Sequence, residues 1–235
     1  MLFFCHQFAA ALLNREWLWT RAGVTNIGMM RPETMQTMRA ILPGLVALTM
    51  AAPAAAQSAD PARAPVQALS EGLITIMKGG AKLGFAGRAQ QIGGVVDRTF
   101  DLPLMVRLAV GPAWTQANPA DRSALMAAFR RLTVSEYANN FDKWGGEAIS
   151  VSPDIETRGT DKVVKTMLAA PREAPVSIAY RLRQTGGEWR IIDVFFRNSI
   201  SQLATRRADF EAILRDGGVR ALVTHVNALA DKAAR

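Results

Sequence analysis

Cysteine is nearly absent from this chain: Cys5 is the only one in 235 residues. A disulfide framework and a Cys-rich metal site are therefore excluded. Histidine is almost as scarce, with only His6 and His225, so a His-based catalytic triad or metal site has little to draw on. The sequence contains no P-loop, no G-x-G-x-x-G, no H-E-x-x-H and no C-x-x-C. The common signatures of phosphate cradling, dinucleotide binding, zinc hydrolysis and dithiol chemistry are thus missing. Long hydrophobic runs are missing too. The stretch Ile41 to Met50 is broken by Pro43, Gly44 and Thr49 and falls short of the roughly 20 apolar residues a membrane-spanning helix needs. No five Lys or Arg stand in a row, which removes the basic arm typical of nucleic-acid binders.

What is present is a globular composition, 49% hydrophobic and 20% charged, far from the low hydrophobicity of disordered chains. The formal net charge is +8. Such a surface favours acidic partners, including anionic lipid headgroups, or serves only to keep the protein soluble.

The N-terminal region has the layout of an address. Arg31 and Arg39 precede the apolar run, and Ala54-Ala55-Ala56 follows it as a small-x-small cleavage pattern. Residues 29–56 are expected to be a secretory signal peptide, with Gln57 as the new N-terminus. No Cys follows the run, so no lipoprotein anchor is indicated. Residues 1–28 fit this layout poorly. They are expected to be an upstream extension, with the true start at Met29, Met30 or Met35. Residues 57–235 then form one domain, expected in the periplasm.

That domain begins with helical spacing. Val66, Leu69, Leu73, Ile76 and Met77 recur at helix intervals and stop at Gly79-Gly80. Phe85, Ile92, Val95 and Val96 mark a second pattern. Asp101 and Pro103 start a third helix that Gly111 ends. Asn118 and Pro119 start a fourth, whose buried stripe is Leu125, Phe129 and Leu132, extended by Tyr137 and Phe141. The period then changes from 3.6 to 2. Ile149 and Val151, Val163 to Leu168, Val176 to Leu182, and Trp189 to Phe196 read as four strands. The turn residues between them suit an antiparallel meander. Helices from about Ser201 to Asp216 and through Leu222, Val226 and Leu229 close the chain. The fold class is α+β: N-terminal helices, a curved antiparallel sheet of four strands or slightly more, and C-terminal helices.

Two features of the fourth strand stand out. It is apolar on both faces, as in a sheet covered on both sides; one face lines a cavity or packs in a filled core, and periodicity does not distinguish these. It is also interrupted by Asp193. A carboxylate there requires a partner, and Arg181 and Arg183 on the preceding strand are available. Asp193 reads either as a structural tether or as a general base in a cone-shaped enzyme cavity, helped by Tyr180. His225, on a terminal helix, reads as solvent-facing.

The order of short motifs resembles one family. Phe100-Asp101-Leu102-Pro103-Leu104-Met105, then Gly111-Pro112-Ala113-Trp114, is similar to a segment of MlaC-like "toluene tolerance" proteins. Phe129 and Tyr137 follow the same pattern, as do Val163-Val164-Lys165-Thr166 and Tyr180-Arg181-Leu182. So do Trp189 to Val194, Ser199-Ile200-Ser201 and Arg206 to Phe210, and the stretch Ile200 to Phe210 resembles the hopanoid-associated HpnM branch. One position departs: the family has Gly before the Ser pair, and this chain has Asn198, the next residue best suited to a left-handed backbone.

The resemblance implies a monomeric, non-enzymatic periplasmic carrier without a cofactor or metal. It would hold a phospholipid, or a related lipid such as a hopanoid, in an apolar cavity between sheet and helices. It would exchange that lipid with an outer-membrane lipoprotein complex and an inner-membrane MCE/ABC transporter, sustaining outer-membrane lipid asymmetry. Nucleic acid is not an expected partner. On the fourth strand and its neighbours, Tyr180, Leu182, Ile192, Val194 and Phe196 are expected to face the lipid, helped by Val164, Ile200 and Leu203. This choice of face treats Trp189 and Asp193 as framework. A small cone-fold enzyme and a periplasmic adaptor with a filled core are the alternatives.

Overall fold

The computed structural model describes residues 60–235. The expectations of a signal peptide at 29–56 and an upstream extension at 1–28 lie outside the described residues. The helices in chain order are α1 (Arg63–Thr99), α2 (Leu102–Val110), α3 (Ala113–Gln116) and α4 (Pro119–Asn140). The strands follow as β1 (Ala148–Arg158), β2 (Asp161–Ala169), β3 (Val176–Thr185), β4 (Glu188–Phe196) and β5 (Ile200–Ser201), and α5 (Gln202–Ala233) ends the chain. The α+β class and the antiparallel meander agree with the sequence reading. The sheet runs β1-β2-β3-β4-β5 with every described pair antiparallel. The short β5 is the added strand.

The helix boundaries follow local chemistry. Asp101 accepts the Leu104 N–H at 2.9 Å, and Asn118 accepts that of Asp121 at 2.8 Å. Each satisfies an amide that the first helical turn leaves unpaired. Asp101 also accepts the Thr185 hydroxyl at 2.9 Å, and its own N–H donates to the Ile191 carbonyl at 2.9 Å. The start of α2 is thereby fixed to the sheet. The first two helical patterns join into one element, α1, broken where Gly80 and Gly84 take φ of 44° and 59°. The break frees the Gly80 carbonyl, and buried Arg88 donates to it at 3.1 Å while donating to the Ala138 carbonyl at 2.8 Å. One guanidinium thus ties the α1 break to the end of α4. The two C-terminal patterns likewise join as α5, broken at Gly218 with φ 66°.

Helices α4 and α5 pack together, and α1, α2 and α5 also meet the sheet. Their apolar faces share one core that includes Leu69, Ile92, Leu125, Phe129, Leu182 and Leu222.

Strict alternation fails on β4. Arg181 pairs with Asp193, but the next residue, Leu182, pairs with Ile191, so Ile192 is the extra residue of a bulge. A bulge reverses the face of everything beyond it and bends the strand. Ile191 and Trp189 therefore share the Leu182 face, which also carries Tyr180 and Val194. The expected grouping of Ile192 with Val194 and Phe196, and of Trp189 with Asp193, is corrected by this bulge.

The expected partners of Asp193 are corrected as well. Arg181 and Arg183 both hold Asp161, with Nε to carboxylate distances of 2.6 Å each. Asp161 is 1% exposed, and the Arg183 guanidinium, with Arg181 beside it, holds its carboxyl below the usual range. Asp193 instead accepts the Ser201 hydroxyl at 2.6 Å, the Leu203 N–H at 3.0 Å and the Val194 N–H at 2.8 Å. It ties β4 to the start of α5.

Candidate functional site

A cavity of about 80 Å³ lies between the sheet and the helices. Its sheet wall is Ile178 and Tyr180 from β3 with Val194 and Phe196 from β4. These alternate positions share the inward face because β3 and β4 pair Ile178 with Phe196 and Tyr180 with Val194. Leu73 of α1 and Met105 of α2 close two sides, with Phe100 between those helices. Helix α4 supplies Phe129, Thr133, Glu136, Tyr137 and Asn140, spaced so that one helical face is presented. Phe141 continues that wall, and Gln202 and Arg206 of α5 complete it. Tyr137 lies 6.0 Å, ring centre to ring centre, from both Phe100 and Phe141, giving an aromatic lining.

The deep residues Leu73, Phe100, Phe129, Phe141 and Tyr180 are buried, whereas Glu136, Asn140, Gln202 and Arg206 are half-buried. The cavity is thus apolar within and polar where it approaches solvent. Burial pushes the Tyr180 phenol up to about 12, against a hydrogen bond with Thr166 that works the other way. Desolvation likewise drives the Tyr137 phenol well above its ordinary range. Both tyrosines of the chain line this space as neutral phenols.

Of the residues expected from the sequence, Tyr180, Val194 and Phe196 come together on the cavity wall. Val164 and Leu182 are fully buried in the adjoining core, and Leu203 packs against that core. Ile192 is buried at the bulge, away from the cavity wall, and Ile200 is 43% exposed on β5. The helical contributors were not singled out in advance. Phe129, Tyr137 and Phe141 carried a signal as a buried stripe. Glu136 and Asn140 carried none that separates them from an ordinary solvated helix face, and Arg206 stood out only as part of the family-like stretch Arg206 to Phe210.

Asp193 does not line the cavity, and both its oxygens are taken by Ser201 and by backbone amides. The carboxylate that does line it, Glu136, is paired with Arg206. His225 is half-buried on α5. Among the described residues no cluster of His, Cys, Asp or Glu has the arrangement to hold a metal ion, and no helix is long and apolar enough to cross a membrane. The arrangement suits holding apolar chains more than transferring protons.

The family model described as "MlaC protein" matches residues 67–228. Among solved structures, the chain is similar to a phospholipid-binding protein from Ralstonia solanacearum, determined in complex with a phospholipid. The TM-score is 0.64 at 22% sequence identity, over 75% of this chain and 100% of that one. At that identity the likeness establishes the shared fold.

Proposed function

The chain belongs to the MlaC protein family, and from that premise we propose that it is a lipid carrier that takes a phospholipid, or a related membrane lipid, into the cavity between β3, β4, α4 and α5. The observation that carries this reading is the lining itself: an aromatic and aliphatic interior whose only charged members, Glu136 and Arg206, sit at its solvent side. Acyl chains moving through water cost about 0.8 kcal/mol for each exposed methylene. A carrier must offer apolar wall in place of water and needs no catalytic group. The Ralstonia relative, solved with a phospholipid, shows that this fold accommodates one. The enzyme alternative loses the base on which it was built, because Asp193 is engaged in a backbone tether.

The size of the cavity favours one second reading. Its volume of about 80 Å³ is below the roughly 150 Å³ at which an engineered apolar cavity admits benzene. An adaptor with a filled core would look like this. In the carrier reading, α4 and α5 part from the sheet to admit acyl chains. The breaks at Gly80, Gly84 and Gly218 divide the long helices into shorter bodies that can shift separately.

The signal-peptide pattern at residues 29–56 supports a periplasmic site of action. Exchange with an inner-membrane MCE/ABC transporter and an outer-membrane lipoprotein complex completes the proposed route. The test is transfer of labelled phospholipid from donor to acceptor vesicles. The carrier reading expects a rate that rises in proportion to protein concentration. A rate equal to that without protein contradicts it.

A further inference from the structure

The apolar interior cannot tell one lipid headgroup from another, but the polar side of the cavity can. Glu136 and Arg206 pair across α4 and α5, with their side chains 23% and 17% exposed. The Arg206 guanidinium also lies 5.5 Å from the centre of the Phe129 ring, which holds it against the cavity wall. Asn140 stands one helical turn beyond Glu136 on the same face of α4, and its buried amide oxygen has no hydrogen-bond partner. Such an unpaired acceptor is unfavourable in a folded protein and marks a place for a donor.

The chemistry of this side is therefore a guanidinium, a carboxylate and an open amide acceptor within one cavity lining. A phosphodiester alone satisfies Arg206 but displaces and repels Glu136. A headgroup that adds an ammonium with N–H donors satisfies all three: phosphate oxygens accept from Arg206, and the ammonium donates to Glu136 and to the Asn140 oxygen. A quaternary ammonium has charge but no N–H to donate. Resting on the carrier reading above, we propose that the Glu136–Arg206–Asn140 side selects phospholipids with a primary-ammonium headgroup, of the phosphatidylethanolamine type, over choline headgroups.

The test uses lipid-free protein incubated with vesicles containing equal parts of phosphatidylethanolamine, phosphatidylcholine and phosphatidylglycerol with matched acyl chains. The protein is separated from the vesicles and its lipid identified by mass spectrometry. The expected result is ethanolamine lipid enriched over choline lipid by about tenfold, equivalent to about 1.4 kcal/mol. Glu136→Gln and Asn140→Leu each reduce that enrichment to within about twofold. Asn140→Leu removes an acceptor oxygen that has no partner, so it is expected to fold even where Glu136→Gln does not, and it decides the matter alone. Loading in vesicle proportion by the wild type, or full enrichment in Asn140→Leu, overturns the selectivity and leaves the carrier reading standing. Failure to take up any of the three lipids overturns the carrier reading and the selectivity with it.

Discussion

Replacing Asp193 separates the tether role from the catalytic one. Its carboxylate accepts the Leu203 N–H in the first turn of α5, the Ser201 hydroxyl at that helix's cap, and the Val194 N–H. Asp193→Ala strands the Leu203 amide and frees the cap residue from β4. One charge-assisted hydrogen bond contributes about 1.5–3 kcal/mol, and loss of a cap contact adds about 1 kcal/mol. The expected loss is about 3 kcal/mol, which for a domain of this size lowers Tm by roughly 6–12 °C. Asp193→Asn keeps one acceptor oxygen for the two amides but loses the charge, so about 1 kcal/mol is expected. Urea and thermal unfolding followed by circular dichroism measure both variants. Because α5 carries Gln202 and Arg206 into the cavity wall, Asp193→Ala is also expected to hold less lipid. An Asp193→Ala protein as stable as the wild type would refute the tether. If it also lost a defined chemical turnover, the enzyme alternative would return.

Val194→Glu places a carboxylate without a partner in the apolar sheet wall, at a cost of several kcal/mol if it stays dry. A cavity that water can enter keeps the fold and loses its lipid, whereas a filled core unfolds, and circular dichroism with lipid extraction tells the two apart. The tyrosines report on the same space. With the Tyr180 phenol at about 12 against an unfolded value of about 10, its contribution to stability is complete below about pH 10 and is lost as pH rises through about 12. Tyrosinate absorbance should appear near pH 10 in denaturant and well above it in the folded protein, and coincident curves would contradict burial. Asp161 acts at the other end of the scale, since its carboxyl is held low by Arg183 and Arg181. Its contribution is present above the unfolded pKa of about 4 and is lost as pH falls through the lower folded value. Asp161→Asn should therefore unfold at neutral pH more readily than the wild type and show a flatter acid limb; an unchanged acid limb would mean that the pair does not stabilise the sheet.

Much of the fold was legible because the chain states its boundaries locally. Asn118-Pro119 and Asp101 with Pro103 announce helix starts, and the change of period after Gly146 announces the sheet. The site was less legible, for two physical reasons. First, a bulge between Arg181 and Leu182 changes which residues share a face, and no residue type there signals it. Tyr180, Val194 and Phe196 lie on one side of that bulge and keep the expected alternation. Ile192 is the bulged residue and loses it. Second, most of the cavity lining comes from helices whose polar members look solvated in sequence. Glu136 and Arg206 meet only because α4 and α5 pack together, 70 positions apart. Asp193 shows the same limit: Arg181 faces it in register, yet the guanidinium turns to Asp161, and the carboxylate finds Ser201 and Leu203 on an element formed later in the chain.

The central claim is that the space between β3, β4, α4 and α5 holds membrane lipid. Its most direct measurement is mass spectrometry of an organic extract of the full-length protein, expressed with export intact in a Gram-negative cell and purified without detergent. The account predicts phospholipid or a related membrane lipid at close to one molecule per protein, sharply reduced in Val194→Glu. Extracts free of lipid from a folded wild-type protein would contradict it.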